Sequence, residues 1–298
     1  MKIACSWHFE ENEPPSWGTP LGLFKGFQRA GHDVTKYGFN PQNCNLDKLI
    51  SEADNYDFIF FCIAGPSPSF DEQLIKLKQS TKTKNFMEFG DDIPQHITGS
   101  NFFYLRKYHV DEIFTLDLRC HNGYLAEGLP SNWLLVWCDD DIFYHTNNPH
   151  RKNICVTTCY GERPLLKEFT DLFGDKFVHK NVDPSKNAEF YNSGTFTYQC
   201  ARYDEITRRI FETGGCGNAI LTNRISSETG IYNLFIEDED ICYFSTAQEA
   251  YEKMNRLYTD DEYRTKLATN LYNKVRSNHL TKHRVKQIID VFNNKNKG

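Results

Sequence analysis

The segment Tyr203–Asn223, YDEITRRIFETGGCGNAILTN, combines alternating charges with a glycine-rich break and a short apolar run. If it is helical from its first acid, Asp204, Arg208 and Glu212 advance by four residues and share one face. Pairing between such charges explains part of the pattern and is worth about 0.2–0.5 kcal/mol per pair. The outward backbone N–H groups of residues 206–208 and the nearby arginines also suit a phosphate. Because Glu212, two turns on, is an acceptor suited to a diol, the segment predicts a nucleotide-sugar site.

Two loops that follow predicted strands offer further groups for an anion. TTCYGERPLL delivers Arg163 just before a helix that starts with proline, where the cation could reach a phosphate. SWHFEENEPPSWGTPLGLF is long for a strand-to-helix connection, and Gly18 and Thr19 would start the helix with N–H groups aimed at a ligand. The alternatives are a plain surface arginine and an ordinary surface loop.

The sequence FMEFGDDIPQH places three carboxylates at the end of a predicted strand, at Glu88, Asp91 and Asp92. Near a cleft they could orient a polyhydroxylated acceptor or act as a base. Gly-Asp-Asp is also common turn chemistry, so solvated turn residues are the alternative.

Composition indicates a globular protein without a membrane span. The chain has 298 residues, 25% of them charged and 39% hydrophobic, and contains no apolar run of about 18 residues. Ten cysteines occur without CxxC spacing or a Cys/His cluster, which favours reduced thiols, a cytoplasmic location and no metal. The net charge is −6, yet the chain from Lys253 onward carries +7. This basic segment either binds an acidic partner or lies against the acidic body of its own protein, which is the favoured interpretation.

Short apolar runs alternate with amphipathic helical patterns, which predicts an α/β protein with parallel sheets. The series runs twice, and the polar segment 145–153 is the best linker candidate. We therefore predict a first domain over 1–148, a second over 149–275 and a basic C-terminal helix over 276–298. Two such domains would face each other across a cleft, with ligands outside the carboxyl ends of the strands.

The charged segment and the C-terminus together resemble a known family. Asp204 and Glu212, with seven residues between them, resemble the E-x7-E element of retaining GT-B glycosyltransferases, with Asp in place of the first Glu. RRIFETGGCG is similar to the R-x-F-E-x-x-(A/G)-x-G signature of the CgeB-like, spore-maturation-type branch, and SNHLTKHRVKQIIDVF resembles that branch's closing helix. The resemblance is specific over about 200–298, and over the N-terminal half only the Rossmann-like layout agrees.

The resemblance implies a GT-B fold of two Rossmann-like domains, with the C-terminal helix packing back toward the first. It implies an enzyme that moves a sugar from a nucleotide-sugar donor to a hydroxyl acceptor with retention, without a metal or other cofactor. The diphosphate partners would be Arg209, Arg163 and Arg208, and Glu212 would bind the ribose hydroxyls. Asp204 would lie near the transferred sugar. Backbone access to the nucleotide would come from three glycines, Gly214, Gly215 and Gly217.

The acceptor stays open among a glycan, a protein, a lipid, a small molecule and DNA. A Lys/Asn-rich, compact chain suits a viral or phage enzyme, so glycosylation of a hydroxymethylated cytosine in DNA is one alternative. The +7 segment favours a DNA acceptor, and the overall net charge of −6 opposes it. A second alternative is a non-catalytic nucleotide-binding module, because Asp204 departs from the usual Glu. An NAD-dependent oxidoreductase is disfavoured because no G-x-G-x-x-G follows the first strand.

Overall fold

The computed structural model of the chain describes residues 1–7, 19–40, 43–62, 71–89, 109–158 and 162–295. The chain forms two compact units. One comprises Met1–Leu135 together with the chain from Arg284 on, and the other comprises Val136–His283. The division thus falls at residue 135 rather than at the expected 148, and the chain returns to the first unit at Arg284 rather than at 276.

The first unit is built on a sheet in the order β3-β2-β1-β4-β5-β6-β7. Its pairings are parallel except for the antiparallel pair of β2 and β3. The strands are β1 (Lys2–Trp7), β2 (Asp33–Asn40), β3 (Asn43–Cys44), β4 (Phe58–Cys62), β5 (Lys84–Phe89), β6 (Glu112–Thr115) and β7 (Ser131–Trp133). The helices between them are α1 (Thr19–Arg29), α2 (Leu46–Glu52), α3 (Asp71–Ser80) and α4 (Leu118–Ala126).

Strand β4 shows why this sheet is covered on both faces. Its sequence, FIFFC, is buried at every position. Side chains alternate along a strand, so Phe58 and Phe60 meet Phe27 of α1 on one face, at ring distances of 6.0 and 5.9 Å. Ile59 and Phe61 join the cluster of α2 and α3 on the other face. A continuous apolar run of this kind is typical of a parallel strand between two helical layers.

The C-terminal helix α11 (Thr281–Lys295) packs on the first unit from Arg284 onward. Arg284 Nε donates to the carbonyl oxygen of Leu135 at 2.6 Å, and the Phe292 ring lies 5.1 Å from that of Phe58. Lys295 pairs with the carboxylate of Glu112. These contacts confirm that the last helix packs back onto the N-terminal domain.

The second unit contains a parallel sheet in the order β12-β11-β10-β8-β9. Its strands are β8 (Cys155–Thr157), β9 (Phe177–His179), β10 (Phe196–Gln199), β11 (Ala219–Asn223) and β12 (Cys242–Phe244). Its helices are α5 (Leu166–Phe173), α6 (Asn187–Tyr191), α7 (Arg208–Gly215), α8 (Ile231–Leu234), α9 (Ala247–Thr259) and α10 (Asp261–Asn278). None of the helices described in either unit is long and apolar enough to cross a membrane.

The strand order of this second sheet creates a switch point between β8 and β10. From β8 the chain crosses to β9 on one side, and β10 then adds on the other side of β8. The loops that leave the carboxyl ends of β8 and β10 therefore run in opposite directions. In open α/β sheets, ligands bind in the crevice that this reversal leaves.

The segment 145–153, interpreted as a linker, belongs instead to the second unit. The Arg151 guanidinium donates to the carbonyl oxygens of Gly194 at 2.9 Å, Gly217 at 3.0 Å and Cys216 at 3.3 Å. The linker prediction was wrong because these acceptors lie more than forty residues away and are invisible in the local composition.

A run as apolar as WLLVWCD (133–139) predicts a single strand, but only Trp133 of this run lies in β7. Further along, the Cys138 N–H donates to the His279 carbonyl oxygen at 2.8 Å, and Cys138 forms a bridge with Leu280. The run therefore pairs within the first unit at its start and within the second unit at its end. Its apolar character reflects burial in both units rather than a single strand.

The basic residues near the C-terminus pair with acids of the same chain. Lys253, Lys266 and Lys274 each lie 2.5–2.6 Å from a carboxylate oxygen of the acidic run Glu237–Asp240. This confirms the intramolecular interpretation of the +7 segment. The lysines of α9 and α10 hold the loop before β12 against these helices.

Glu237 is the centre of this network and should make stability depend on pH. Arg224 donates to its two carboxylate oxygens at 2.7 and 2.6 Å, and this pairing, with Lys253, lowers the pKa of Glu237 to about 2. A depressed pKa stabilises the folded state above the unfolded value of about 4.5, and the gain is lost as pH falls toward 2. We expect Glu237→Gln to lower the free energy of unfolding by up to about 1 kcal/mol at pH 7, since the network is partly exposed.

Urea unfolding of both proteins at pH 7, 5 and 3.5 measures this difference, which should shrink at the lowest pH. Glu189→Gln, at an exposed position outside the network, is the matched control. A gap that stays constant from pH 7 to 3.5 would show that the substitution acts through packing and not through charge.

Candidate active site

Two guanidinium groups lie at the carboxyl edge of the second sheet, next to the ends of the two strands that flank the switch point. Arg209 Nη2 donates to the carbonyl oxygen of Thr158, the residue after β8, at 2.6 Å. Arg163 Nε donates to the carbonyl oxygen of Cys200, the residue after β10, at 3.1 Å. Because β8 and β10 are neighbours, both cations border one edge, where an anion could accept charge-assisted hydrogen bonds.

Helix α7 positions Arg209, and it begins later than the sequence pattern suggests. The helix runs from Arg208 to Gly215, and its N-cap, Thr207, is extended, with φ −89° and ψ 150°. Of residues 206–208, whose backbone N–H groups were expected at the helix start, only Arg208 therefore lies in the helix, as its first residue. The expectation of a helix from Asp204 was wrong, and the four-residue spacing from Asp204 to Arg208 does not place them on one helical face.

Asp204 makes a long-range contact instead of capping a helix. Its Oδ1 accepts the backbone N–H of Ser226 at 2.6 Å, just beyond the end of β11. Beside it, Asn223 Oδ1 accepts the N–H of Ala201 at 2.7 Å. These bonds tie the loop after β10 to the loop after β11, so Asp204 lies at the carboxyl edge through a tertiary contact. Its place near a transferred sugar stays a prediction.

Glu212 lies one turn along α7 from Arg208 and forms an ion pair with it, with Arg208 Nε 3.9 Å from Glu212 Oε1. The Arg208 guanidinium also lies over the Trp137 ring, 5.7 Å from its centroid. The Glu212 side chain is 12% exposed. The Glu212 carboxylate is therefore mostly buried on the helix that carries Arg209, paired with an arginine that packs on Trp137.

Tyr191, at the end of α6, connects these groups. Its hydroxyl lies 3.1 Å from Thr158 Oγ1, beside the carbonyl that Arg209 binds. Burial raises the pKa of Tyr191, the negative charge of Glu212 raises it further, and the positive charge of Arg209 partly opposes this. Both charges therefore act on one buried hydroxyl, which places Arg209 and Glu212 in the same electrostatic environment.

The three glycines expected to admit a nucleotide are Gly214, Gly215 and Gly217. Each lies against side chains of the second unit. A Cβ at Gly214 would meet Val275 Cγ2 at 2.7 Å, one at Gly215 would collide with Cys138 Sγ, and one at Gly217 would meet His145 Cδ2 at 2.5 Å. Gly217 also has φ +69°, which favours glycine. Close packing accounts for all three, and contact with a nucleotide stays a prediction.

The candidates in the first unit can be placed only in part. Glu88 is in β5 and Thr19 is the first residue of α1, in agreement with a strand end and a helix start. Gly18, Asp91 and Asp92 lie outside the described residues. Among the side chains of the described ranges, no three of His, Cys, Asp or Glu come together as a metal site.

Sequence reasoning missed Trp137 as part of this site, and it left Tyr191 open between a contact with the donor base and an ordinary turn. Trp137 was hidden in the apolar run WLLVWCD. Both are fully or almost fully buried aromatic residues that touch a charged group of α7 or the β8 end. For Trp137, the available signal was its position at the end of an apolar run, next to a polar loop.

Comparison with known proteins finds a similarity to one sequence family over most of the second unit. Residues 148–290 match the sequence profile of the family described as "Glycosyl transferase-like". The matched range includes β8 to β12 and the helix that carries Arg209 and Glu212. No curated protein is detectably similar to the chain in sequence.

Solved structures share the fold over nearly the whole chain. HepE from Anabaena, in complex with UDP-glucose, is 12% identical and has a TM-score of 0.67, covering 99% of this chain and 100% of its own. Sucrose-phosphate synthase from Thermosynechococcus elongatus is 11% identical, with a TM-score of 0.66 and 98% of both chains covered. An alpha-glucosyltransferase in complex with UDP and a 13-mer DNA containing a HMU base is 13% identical, with a TM-score of 0.64, covering 98% of this chain and 99% of its own.

At such low identities, the likeness to solved structures concerns the fold. The chain has the α/β fold of GT-B glycosyltransferases, and its residues 148–290 carry the sequence pattern of a glycosyl transferase-like family.

Proposed function

We propose that the protein is a glycosyltransferase that moves a sugar from a nucleotide-sugar donor to a hydroxyl acceptor. The observation that carries this proposal is the pair of arginines at the switch point. Arg209 and Arg163 are fixed by the carbonyl groups that end β8 and β10. Cations at that edge suit the diphosphate of a nucleotide sugar, and the family match over 148–290 supports the same assignment.

In this proposal each group of the site has one task. Arg209 and Arg163 bind the diphosphate, and the start of α7 adds its positive dipole end. Glu212 accepts hydrogen bonds from the ribose hydroxyls, with Arg208 and Trp137 holding its carboxylate in place. Asp204, tied to Ser226 at the neighbouring strand end, would lie near the transferred sugar.

The chemistry asks mainly for stabilisation of the departing diphosphate. The sugar leaves with oxocarbenium-like character, and in a retaining enzyme the acceptor hydroxyl attacks from the face that the leaving group vacates. The new bond joins the acceptor oxygen to the anomeric carbon, the bond to the diphosphate breaks, and the acceptor proton passes to the diphosphate. Fixed guanidinium groups stabilise that developing charge without a metal. Retention and metal independence are part of the proposal.

Four solved structures of two proteins with this fold suggest the donor nucleotide. HepE was solved with UDP-glucose, UDP, and UDP with glucose, and the alpha-glucosyltransferase was solved with UDP. We infer a uridine diphosphate sugar for this chain. The match of RRIFETGGCG to the R-x-F-E signature further supports the CgeB-like branch, and a cytoplasmic enzyme of viral or phage origin is part of the same proposal.

A DNA acceptor is the second candidate. It is favoured by two structures of the same fold: the alpha-glucosyltransferase was solved with a 13-mer DNA, and a beta-glucosyltransferase with a TM-score of 0.58 is described as DNA modifying. It is weakened by the pairing of the basic C-terminal residues with acids of this chain. Activity on hydroxymethylated DNA that falls steeply with salt would support it, and activity indifferent to salt would exclude it.

The donor site is tested by thermal unfolding with UDP, ADP, GDP and their sugar derivatives. A ligand at 100 times its dissociation constant should add about 2.7 kcal/mol to the free energy of unfolding. We expect UDP and one UDP-sugar to raise the melting temperature of the wild type. Glu212→Ala should remove most of that shift because the ribose loses its acceptor.

Glu189→Ala, an exposed acid on α6, is the control and should keep the full shift. Binding of a sugar nucleotide without any transfer or hydrolysis would favour the non-catalytic module. No shift from any nucleotide would contradict the proposed function.

A further inference from the structure

The second unit has an open cleft at the edge of its sheet opposite to the arginine pair. The cleft has a volume of about 410 Å³, within the range of small-molecule sites. Thr195, just before β10, and Gly217, just before β11, place it at the amino ends of these strands. Helix α10 forms its other wall through Arg264, Thr269 and neighbouring residues. The cleft is therefore separate from the proposed donor site.

Two arginines line this cleft, and both are fixed in place. Arg151 donates from Nε, Nη1 and Nη2 to three backbone carbonyls. Arg264, 7% exposed, donates from Nη1 to the Leu257 carbonyl oxygen and from Nη2 to Asp261 Oδ1, each at 2.5 Å. A guanidinium has five N–H donors, so both arginines keep donors beyond these bonds within the part of the chain that the structure describes.

In the described chain, the Arg151 guanidinium donates hydrogen bonds only to backbone carbonyl oxygens. Burial lowers the pKa of Arg151, which reflects the cost of keeping this cation away from water. The one carboxylate that pairs with Arg264 belongs to Asp261, whose side chain is 79% exposed. No Asp or Glu is among the described residues that line the cleft. An anion in the cleft would thus meet two fixed cations, of which Arg264 already pairs with Asp261, whereas Arg151 binds only backbone carbonyls in the described chain.

The rest of the lining consists mainly of hydroxyl, amide and imidazole groups. Thr265, Thr269 and Tyr272 follow one another along one side of α10, and His145 faces Tyr272 with ring centroids 5.9 Å apart. Hydroxyl groups of this kind donate to and accept from the hydroxyls of a ligand. We propose that the cleft is a second binding site, for a small hydroxylated anion such as a sugar phosphate.

The test titrates the full chain with glucose 6-phosphate, inorganic phosphate and glucose by calorimetry. Thr269→Trp should fill the cleft from an exposed helical position, and Asn273→Trp places the same side chain at an exposed position of α10 that does not line it. Arg209→Ala disables the other candidate phosphate site. We expect glucose 6-phosphate to bind the wild type, Asn273→Trp and Arg209→Ala with the same affinity. Thr269→Trp should bind glucose 6-phosphate at least tenfold more weakly. Glucose should not bind.

Three results would overturn the proposal. No binding of either phosphate to the wild type would remove the site. Equal binding to wild type and Thr269→Trp, with loss in Arg209→Ala, would place the anion at the switch-point edge. Glucose binding as tight as glucose 6-phosphate would show that the arginines do not recognise the ligand. Circular dichroism and thermal unfolding of each variant keep loss of binding separate from loss of fold.

Discussion

Replacing Arg209 with alanine is expected to slow sugar transfer by about 100- to 1,000-fold, which corresponds to about 3–4 kcal/mol of barrier. The guanidinium is fixed by the Thr158 carbonyl at 2.6 Å, at the end of β8, and in the proposed reaction it faces the charge that develops on the diphosphate. Loss of a positioned donor raises the barrier without changing the rest of the fold. Initial rates of nucleotide release, with the sugar nucleotide that stabilises the wild type, measure the effect.

The matched control is Arg202→Ala, which removes an exposed cation of the loop between β10 and α7 and should leave the rate within about twofold. Arg209→Lys keeps the charge but not the planar fork, so an intermediate rate is expected. A loss of less than tenfold in Arg209→Ala would contradict the assigned role. An equal loss in Arg202→Ala would indicate a general effect of positive charge on donor attraction.

Elements whose burial is local could be predicted from the sequence. Strand β4 can be predicted because FIFFC is apolar on both faces, and α9 and α10 can be predicted from the 3.6-residue spacing of their apolar residues. Gly31, just after α1, has φ +83°, and a glycine at such a position commonly ends a helix, so this boundary can also be predicted. In these cases a few adjacent residues contain the physical cause of the structure.

The errors share another cause, which is a partner distant in sequence. Asp204 was taken for a helix start because its spacing fits, whereas it binds the N–H of Ser226 after β11. The segment 145–153 was interpreted as a linker because it is polar and contains proline, whereas its Arg151 guanidinium donates to three carbonyls more than forty residues away. The sequence around a polar loop residue does not show which distant group it binds. The contacts of Asp204 and Arg151 could therefore be known only from the structure. The arginines of α7 could be named from the sequence because the charged motif is local, and their binding role stays a prediction.

The largest expected effect on stability comes from Gly214→Ala. Gly214 lies where α7 and α10 approach each other, and a Cβ there would meet Val275 Cγ2 at 2.7 Å and Leu271 Cγ at 2.9 Å. Both neighbours are fully buried, so they cannot move without disturbing the core. We expect the free energy of unfolding to fall by about 1–3 kcal/mol, the usual cost of overpacking. Chemical denaturation at neutral pH measures it.

Gly123→Ala is the control that separates packing from backbone preference. Gly123 is inside α4, and a Cβ there meets nothing within 4 Å, so alanine should stabilise the protein by about 0.5–1 kcal/mol. The two substitutions are chemically identical and both are helical, so opposite signs would identify the contact with α10 as the reason for glycine at 214. If Gly214→Ala instead keeps its stability and binds the nucleotide at least tenfold more weakly, the glycine serves close approach of the ligand to the backbone. In that case Val275 and Leu271 can adjust, and the nucleotide must extend along α7 beyond Glu212.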